Sequence, residues 1–324
     1  IAITSDVDTK NISGVSKNTL LIKEELQKQG HEVKLFIPKT KDIKESTEDV
    51  IRVAAVRINE TPPFYLSSIV SSKMYKVFKE EDFDVIHCHT PLTMLWLSYQ
   101  MSLFFETPLV YTYHTIVTDY LHYLGQWGES RATEKSVKYF ERATCNPCDL
   151  IICPSEKVQE RLKNFDIKTP TEIVPNGIDI KRFKDASGGY LKDHSNIGSD
   201  DKIILVVGRV DKEKDPIFNV EVLGEVVKSL ENAKLVFAGN GGLEDKVLEK
   251  AKKLGIEDKI VILGHIEYEQ IPNVYKDADI YLTSSTTENH SLAVIEAIAS
   301  GLPVVAADDK SFYANVKNGK NGYL

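Results

Sequence analysis

Thr283-Ser284-Ser285-Thr286-Thr287-Glu288-Asn289-His290-Ser291-Leu292-Ala293-Val294-Ile295-Glu296-Ala297-Ile298-Ala299-Ser300-Gly301-Leu302-Pro303-Val304-Val305 begins at the end of one apolar run and closes inside another. The first run, Ile280 to Thr283, has strand length. It enters a hydroxyl-rich loop, and a helix is expected to start near Asn289 to Ser291. The second run, near 303–306, is again a strand. Strand, helix and strand in this order form a β–α–β unit, which places its two strands parallel.

The same alternation runs along the whole chain and predicts an α/β protein with doubly wound parallel sheets. Strands are expected near 1–5, 33–37, 84–88, 109–113, 150–153 and 171–174. A second series is expected near 203–207, 234–238, 259–262, 279–283 and 303–306. Gly188 to Asp201, polar and glycine-containing, lies between the series. Two Rossmann-like domains, 1–178 and 179–324, are expected to face each other across a cleft at the carboxyl ends of their strands. Val15, Thr19, Ile22 and Leu26 line one face of the helix after the first strand, which ends at Gly30. Phe218, Val222, Val226 and Leu230 repeat that spacing and are read as a core face.

A length of 324 residues suits about two domains. Hydrophobic residues at 42% and charged residues at 27% exclude general disorder. Lys plus Arg number 40 against 48 Asp plus Glu, so a broad nucleic-acid surface is not expected. No apolar run reaches the roughly 18 residues of a membrane-spanning helix. The four cysteines, Cys88, Cys145, Cys148 and Cys153, are too few and too clustered to staple the chain, which points to a reducing cytoplasm. Ile1 to Ser5 already reads as a strand, without an initiator Met or a signal peptide, so a few upstream residues are expected to be missing.

Glu288 stands before the helix and Glu296 lies on it. Their separation suits a ligand with hydroxyls at both ends and negative charge between, the layout of a nucleoside diphosphate sugar; exposed N–H groups at the helix start supply an anion site. The alternative is a carboxylate favoured by the helix dipole and a solvated helix residue. Arg209 and Lys214 follow the strand near 203–207, either to stabilise a departing diphosphate or as surface cations. His114 ends a strand on the same side as the other loops, and Gly14 precedes a helix, where backbone can approach a ligand. Cys145-Asn146-Pro147-Cys148 and the pair His87 and His89 have metal-like spacing and are read as incidental thiols and as lining or packing; no metal site is expected.

The quoted stretch resembles the E-x7-E signature of the large GT4 group of retaining glycosyltransferases, continued by the Glu-Ala run from Glu296 to Val305. The resemblance covers nearly the whole chain: Ser13-Gly14-Val15, Gly30-His31-Glu32-Val33, Asp84 to His89, Thr112 to Thr115, Pro175 to Asp179 and Gly208 to Lys214 fall in the family's order. It implies the GT-B fold and transfer of a hexose from a nucleotide sugar, such as UDP-glucose, to a hydroxyl with retained anomeric configuration. It gives Arg209 and Lys214 the diphosphate and His114 and Glu288 the transferred sugar. An Asp-x-Asp pair is read as absent, so Arg209 and Lys214 rather than a divalent ion are expected to meet the diphosphate charge. Asn289, His290, Ser291 and Leu292 fall to sugar and phosphate, Gly14 to phosphates or sugar, Glu296 to ribose, and Gly264 and Ile266 to the base. No cofactor is expected. Ser291 stands where the family usually has Gly, narrowing the space beside the sugar. The family normally continues beyond position 324 with a helix returning to the first domain.

His114 to Trp127 resembles the corresponding run of bacterial diacylglycerol glucosyltransferases, which implies a lipid acceptor near Asp119, Tyr120 and His122, with Asp119 orienting or deprotonating its hydroxyl. Asp119 is alternatively a helix cap. Arg131, Lys135, Lys138 and Arg142 form a cationic stripe able to rest on an anionic leaflet, so a peripheral position on the inner face of the cell membrane is expected. A solvated face balanced by Glu129, Glu134 and Glu141 is the other reading. Competing functions are a nucleotide-sugar epimerase, a non-catalytic binding or membrane-recruited protein, and a dehydrogenase.

Overall fold

The computed structural model describes residues 1–8, 13–40, 43, 45–60, 63–114 and 131–324; for 59, 60, 63, 64 and 131–134 only the backbone course is described. The chain forms two compact units, Ile1–Gly177 and Ile178–Leu324.

The first unit contains β1 (Ala2–Thr4), α1 (Gly14–Lys28), β2 (Lys34–Pro38), β3 (Val50–Val53), β4 (Ala55–Glu60), β5 (Pro63–Ser67) and α2 (Ser72–Glu80). It continues through β6 (Ile86–Cys88), α3 (Thr93–Phe105), β7 (Leu109–Thr112), α4 (Arg131–Cys145), β8 (Leu150–Cys153), α5 (Glu156–Asn164) and β9 (Thr171–Ile173). Its sheet runs β3-β2-β1-β6-β7-β8-β9, every neighbouring pair parallel. The strand order reverses between β1 and β6. α1 stops in a Schellman turn: Gly30 N–H donates to Gln27 O, His31 N–H donates to Leu26 O, and Gly30 takes φ +91°.

The second unit contains α6 (Ile180–Lys184), α7 (Tyr190–His194), β10 (Lys202–Val207), α8 (Pro216–Val226), β11 (Ala233–Ala238) and α9 (Glu244–Leu254). β12 (Ile260–Ile262), α10 (Ile271–Lys276), β13 (Ile280–Thr283), α11 (Leu292–Ala299), β14 (Val304–Ala306) and β15 (Gly322–Tyr323) complete it. The parallel sheet runs β12-β11-β10-β13-β14-β15, with its reversal between β10 and β13. Ile203, Ile204, Leu205 and Val206 are buried in succession because helices cover both faces of a central parallel strand.

Several elements depart from the sequence reading. β3 was not expected, because charged Arg52 interrupts its short apolar run; here Arg52 is buried against Asp8, Nη1 to Oδ2 3.2 Å. The antiparallel β4–β5 hairpin and the two-residue β15 also escaped periodicity. On α8 the packed face is Pro216, Asn219, Val220 and Leu223, whereas Phe218 is exposed and Leu230 lies beyond the helix. The i, i+4 repeat was real, but it ran along the flank of the helix.

Candidate functional site

Open α/β sheets bind ligands at the carboxyl ends of their strands, where the order reverses. In the second unit that place lies between β10 and β13. The loop after β10 carries Arg209 and Lys214, and the loop after β13 carries Glu288. The two loops are laced together by hydroxyls. Ser284 Oγ donates to Lys214 O and Asp215 O, both at 3.0 Å, and Ser285 Oγ donates to Glu213 O at 2.7 Å. Thr287 Oγ1 reaches the same Glu213 carbonyl at 3.2 Å. This is the work of the hydroxyl-rich loop, whose composition was visible in sequence but whose partners were not.

Lacing brings Lys214 Nζ into a hydrogen-bonded ion pair with Glu288 Oε1. Gly208, at φ +135°, makes room: a Cβ there would stand 3.3 Å from Lys214 Cε. Arg209 is half exposed and pairs with buried Glu213, Nη2 to Oε1 2.5 Å. Glu213 was missed in sequence because it read as one more charge in a charged loop. Gly239 and Gly241 are needed where the next loop presses on this one; Cβ atoms there would meet Gly208 O and Val210 O at 2.0 and 2.4 Å.

Asn289, His290 and Ser291 are buried ahead of α11. His290 Nε2 lies 3.0 Å from Asn315 Nδ2, and burial lowers its pKa against the raising influence of Glu288. Ser291 is the N-cap, so the helix proper starts at Leu292, slightly later than expected. Glu296, on the second turn, is buried and not solvated; its Oε2 lies 3.1 Å from the hydroxyl of fully buried Tyr275. Nearby, the Tyr268 hydroxyl is pushed up to about 12 by burial and then by Glu296. Gly264, in the turn after β12, takes φ +70°, and Ile266 is buried beyond it.

In the first unit, β6 and β7 deliver His89 and His114 side by side, His89 Nδ1 lying 3.0 Å from His114 Nε2. The His87 ring packs against His89, centroids 4.2 Å apart and planes tilted by 36°, and its Nε2 lies 2.7 Å from Thr112 Oγ1. Burial drives the pKa of His87 down to about 4 and, with the nearby His87, that of His114 down to about 3. Gly14 is exposed at the first turn of α1, whose N-cap Ser13 forms a capping box with Ser16. Asp6, unremarked in sequence, is buried after β1 and accepts from Thr90 Oγ1, Thr93 Oγ1 and Met94 N at 2.8, 2.6 and 3.1 Å, which anchors the start of α3. Asp119, Tyr120 and His122 lie outside the described residues.

The cationic stripe divides. Arg142 Nε donates to Phe165 O at 2.8 Å and Nη2 pairs with Asp166 at 2.9 Å, and Lys138 donates to Asn164 O at 3.3 Å. Lys135 is exposed, and the Arg131 side chain lies outside the described ones. A different face is apolar: α3 exposes Trp96, Leu103 and Phe104, next to Ile69, Val70 and Tyr75. Tyr75 and Phe104 are in edge contact at 6.1 Å, and Gln100 Nε2 donates to Ile69 O at 2.8 Å, so these residues share one surface. No helix of the described residues is long and apolar enough to cross a membrane.

All four cysteines are free and buried, and burial raises their thiols, Cys88 to about 11 and Cys148 to about 12. The expected absence of an Asp-x-Asp pair is wrong: the spelling occurs at Asp6/Asp8, Asp82/Asp84 and Asp277/Asp279. Asp6 and Asp8 are committed to Thr93 and Arg52, and Asp277 and Asp279 accept from Leu191 N and Ile203 N at 2.8 Å each. Among the described residues no group of three His, Cys, Asp or Glu could hold a metal ion.

Residues 12–182 match Glycosyltransferase Family 4, and residues 191–324 match Glycosyl transferases group 1. The chain belongs to glycosyltransferase family 4. This family 4 enzyme is 30% identical over 312 residues to the alpha-monoglucosyldiacylglycerol synthase of Streptococcus pneumoniae, covering 94% of this chain and 70% of the relative. The synthase of the same name from Acholeplasma laidlawii is 31% identical over 336 residues, covering 99% and 83%. Among solved structures, sucrose-phosphate synthase from Thermosynechococcus elongatus superposes with a TM-score of 0.78 at 21% identity, covering all of this chain and 85% of that one. WaaG, a glycosyltransferase of lipopolysaccharide biosynthesis, gives 0.72 at 16%, covering all of this chain and 86% of that one. The family 4 chain thus has the GT-B fold.

Proposed function

We propose that this glycosyltransferase moves glucose from UDP-glucose to diacylglycerol or a related membrane lipid, with retention at the anomeric carbon. The observation that carries the donor half is the meeting of Lys214 and Glu288 at the strand-order reversal, with Arg209 on the same loop. A departing nucleoside diphosphate gains negative charge, and fixed cations stabilise it. Lys214 and Arg209 take that charge without a divalent ion, Glu288 binds sugar hydroxyls, Glu296 binds the ribose, and His114 binds a hydroxyl of the transferred sugar. Asn289 to Leu292 hold sugar and phosphate, Gly14 approaches the same groups, and Gly264 and Ile266 border the base.

The lipid half is supported by the names of the two relatives that span most of the chain. The exposed apolar face of α3 adds a physical reason. A helix apolar all round is ordinarily buried, and Trp and Tyr favour a membrane–water interface. Asp119, Tyr120 and His122 are assigned to the acceptor, and the lipid is met at the inner face of the cell membrane.

The test is to offer radiolabelled UDP-glucose with diacylglycerol in mixed vesicles, and in parallel with soluble hydroxyl acceptors and with no acceptor. An α-linked lipid product, formed equally with and without a chelator, is expected. Labelled product confined to soluble acceptors would overturn the lipid assignment. Isomerised donor in the acceptor-free reaction would favour an epimerase.

A further inference from the structure

His89 is 1% exposed, and among the described residues its Nε2 has no hydrogen-bond partner. Its other ring nitrogen, Nδ1, lies 3.0 Å from His114 Nε2, with the two rings nearly coplanar at 19° and their centroids 5.2 Å apart. One proton lies between the two nitrogens, and the two possible owners differ in what they leave at Nε2 of His89. If His114 supplied the proton, neutral His89 would carry its hydrogen on Nε2, a buried N–H with no acceptor. If His89 supplies it, Nε2 is a bare lone pair, and buried orphan acceptors are tolerated more often than orphan donors. Protonating both nitrogens would bury a cation between two more imidazoles, which burial, His87 and His114 all oppose.

We propose that His89 is a positioning residue: its Nδ1–H donates to His114 Nε2 and locks His114 as the neutral tautomer that carries its hydrogen on Nδ1. His114 then enters the transfer reaction as a fixed N–H donor to a hydroxyl oxygen and not as an acid or base, because its Nε2 lone pair is already engaged. The catalytic half rests on the assignment of His114 to the transferred sugar; the lock itself does not. His87 supports the lock by packing its tilted ring against His89 while its own Nε2 is held by Thr112.

The experiment compares the wild-type full chain with His89→Leu, which has no donor, and His89→Asn, whose amide N–H falls near the place of Nδ1. Long-range 1H–15N spectra of histidine-labelled protein read which nitrogen of His114 is protonated, without turnover. Nδ1 protonated and Nε2 bare is expected in the wild type and in His89→Asn, with mixed tautomers in His89→Leu. One lost hydrogen bond corresponds to about a tenfold fall in kcat for His89→Leu at nearly unchanged donor KM, with His89→Asn within about threefold of wild type. A wild-type His114 protonated on Nε2 would overturn the lock. An unaltered His114 tautomer in His89→Leu would do the same. Full turnover in His114→Ala, beside the expected wild-type spectrum, would instead overturn the role of His114 in transfer.

Discussion

Lys214 and Glu288, 74 residues apart in sequence, form a hydrogen-bonded ion pair at the point where the strand order of the second unit reverses. Both side chains are partly buried, so each depends on the other more than a surface pair would. Lys214→Ala removes the cation proposed to hold the diphosphate and leaves the Glu288 carboxylate without that partner. Turnover is expected to fall by about 10²- to 10³-fold. Glu288→Gln falls too, and the double variant falls by less than the product of the two, because they act as a unit. Additive losses in kcat/KM would count against a shared role.

Tyr275 and Glu296 make a separate prediction. The Tyr275 hydroxyl lies 3.1 Å from Glu296 Oε2 and 3.0 Å from Ala293 O, all within the core of the second unit. Tyr275→Phe is expected to cost about 1–2 kcal/mol in denaturant unfolding. It is also expected to raise the KM for donor more than it lowers kcat, since the proposed role of Glu296 is to bind the ribose, away from the reacting bond. An unchanged donor KM in both Tyr275→Phe and Glu296→Gln would remove the ribose assignment.

Stability should depend on pH through the buried histidines. An unfolded histidine takes its proton near 6.5, whereas His87 in the fold takes it only near 4. Between those values the unfolded chain binds more protons, so stability is complete above about pH 6.5 and falls as pH drops toward about 4. Thermal unfolding midpoints measured down this range should decline, and less steeply in His87→Asn. An equal slope in the variant would show that other groups carry the dependence.

Asp6 anchors the start of α3 through two threonine hydroxyls and a backbone N–H. Asp6→Ala leaves these buried donors without their acceptor, and a loss of about 3 kcal/mol is expected. Burial raises the Asp6 pKa against these same hydrogen bonds, so Asp6→Asn, which keeps an acceptor oxygen, should cost less. Chemical denaturation of the two variants checks the order.

The proposed lipid surface predicts a contrast between two helices. Trp96→Ser with Phe104→Ser on α3 should weaken binding to anionic vesicles by about tenfold or more, given the apolar area lost. Lys138→Ala on α4 should have little effect, because that ammonium already serves Asn164 O. Vesicle flotation measures both, and the reverse ranking would move the membrane face to α4.

Read by itself, the chain already contained the alternation of strand and helix, the division into two α/β halves, the loops that carry Arg209, Lys214 and Glu288, and the helix that carries Glu296. Those features are local: apolar periodicity and glycine positions act within a few residues of one another. Tertiary structure decided the partners. That Lys214 meets Glu288, that Arg209 rests on Glu213, that Tyr275 holds Glu296 and that His89 faces His114 all depend on which strands are neighbours, and strand order is set by packing of whole elements. The same holds for faces. α8 buries Asn219 and Val220 and exposes Phe218, and α3 exposes Trp96, because burial is fixed by what lies opposite a side chain and not by its own hydropathy.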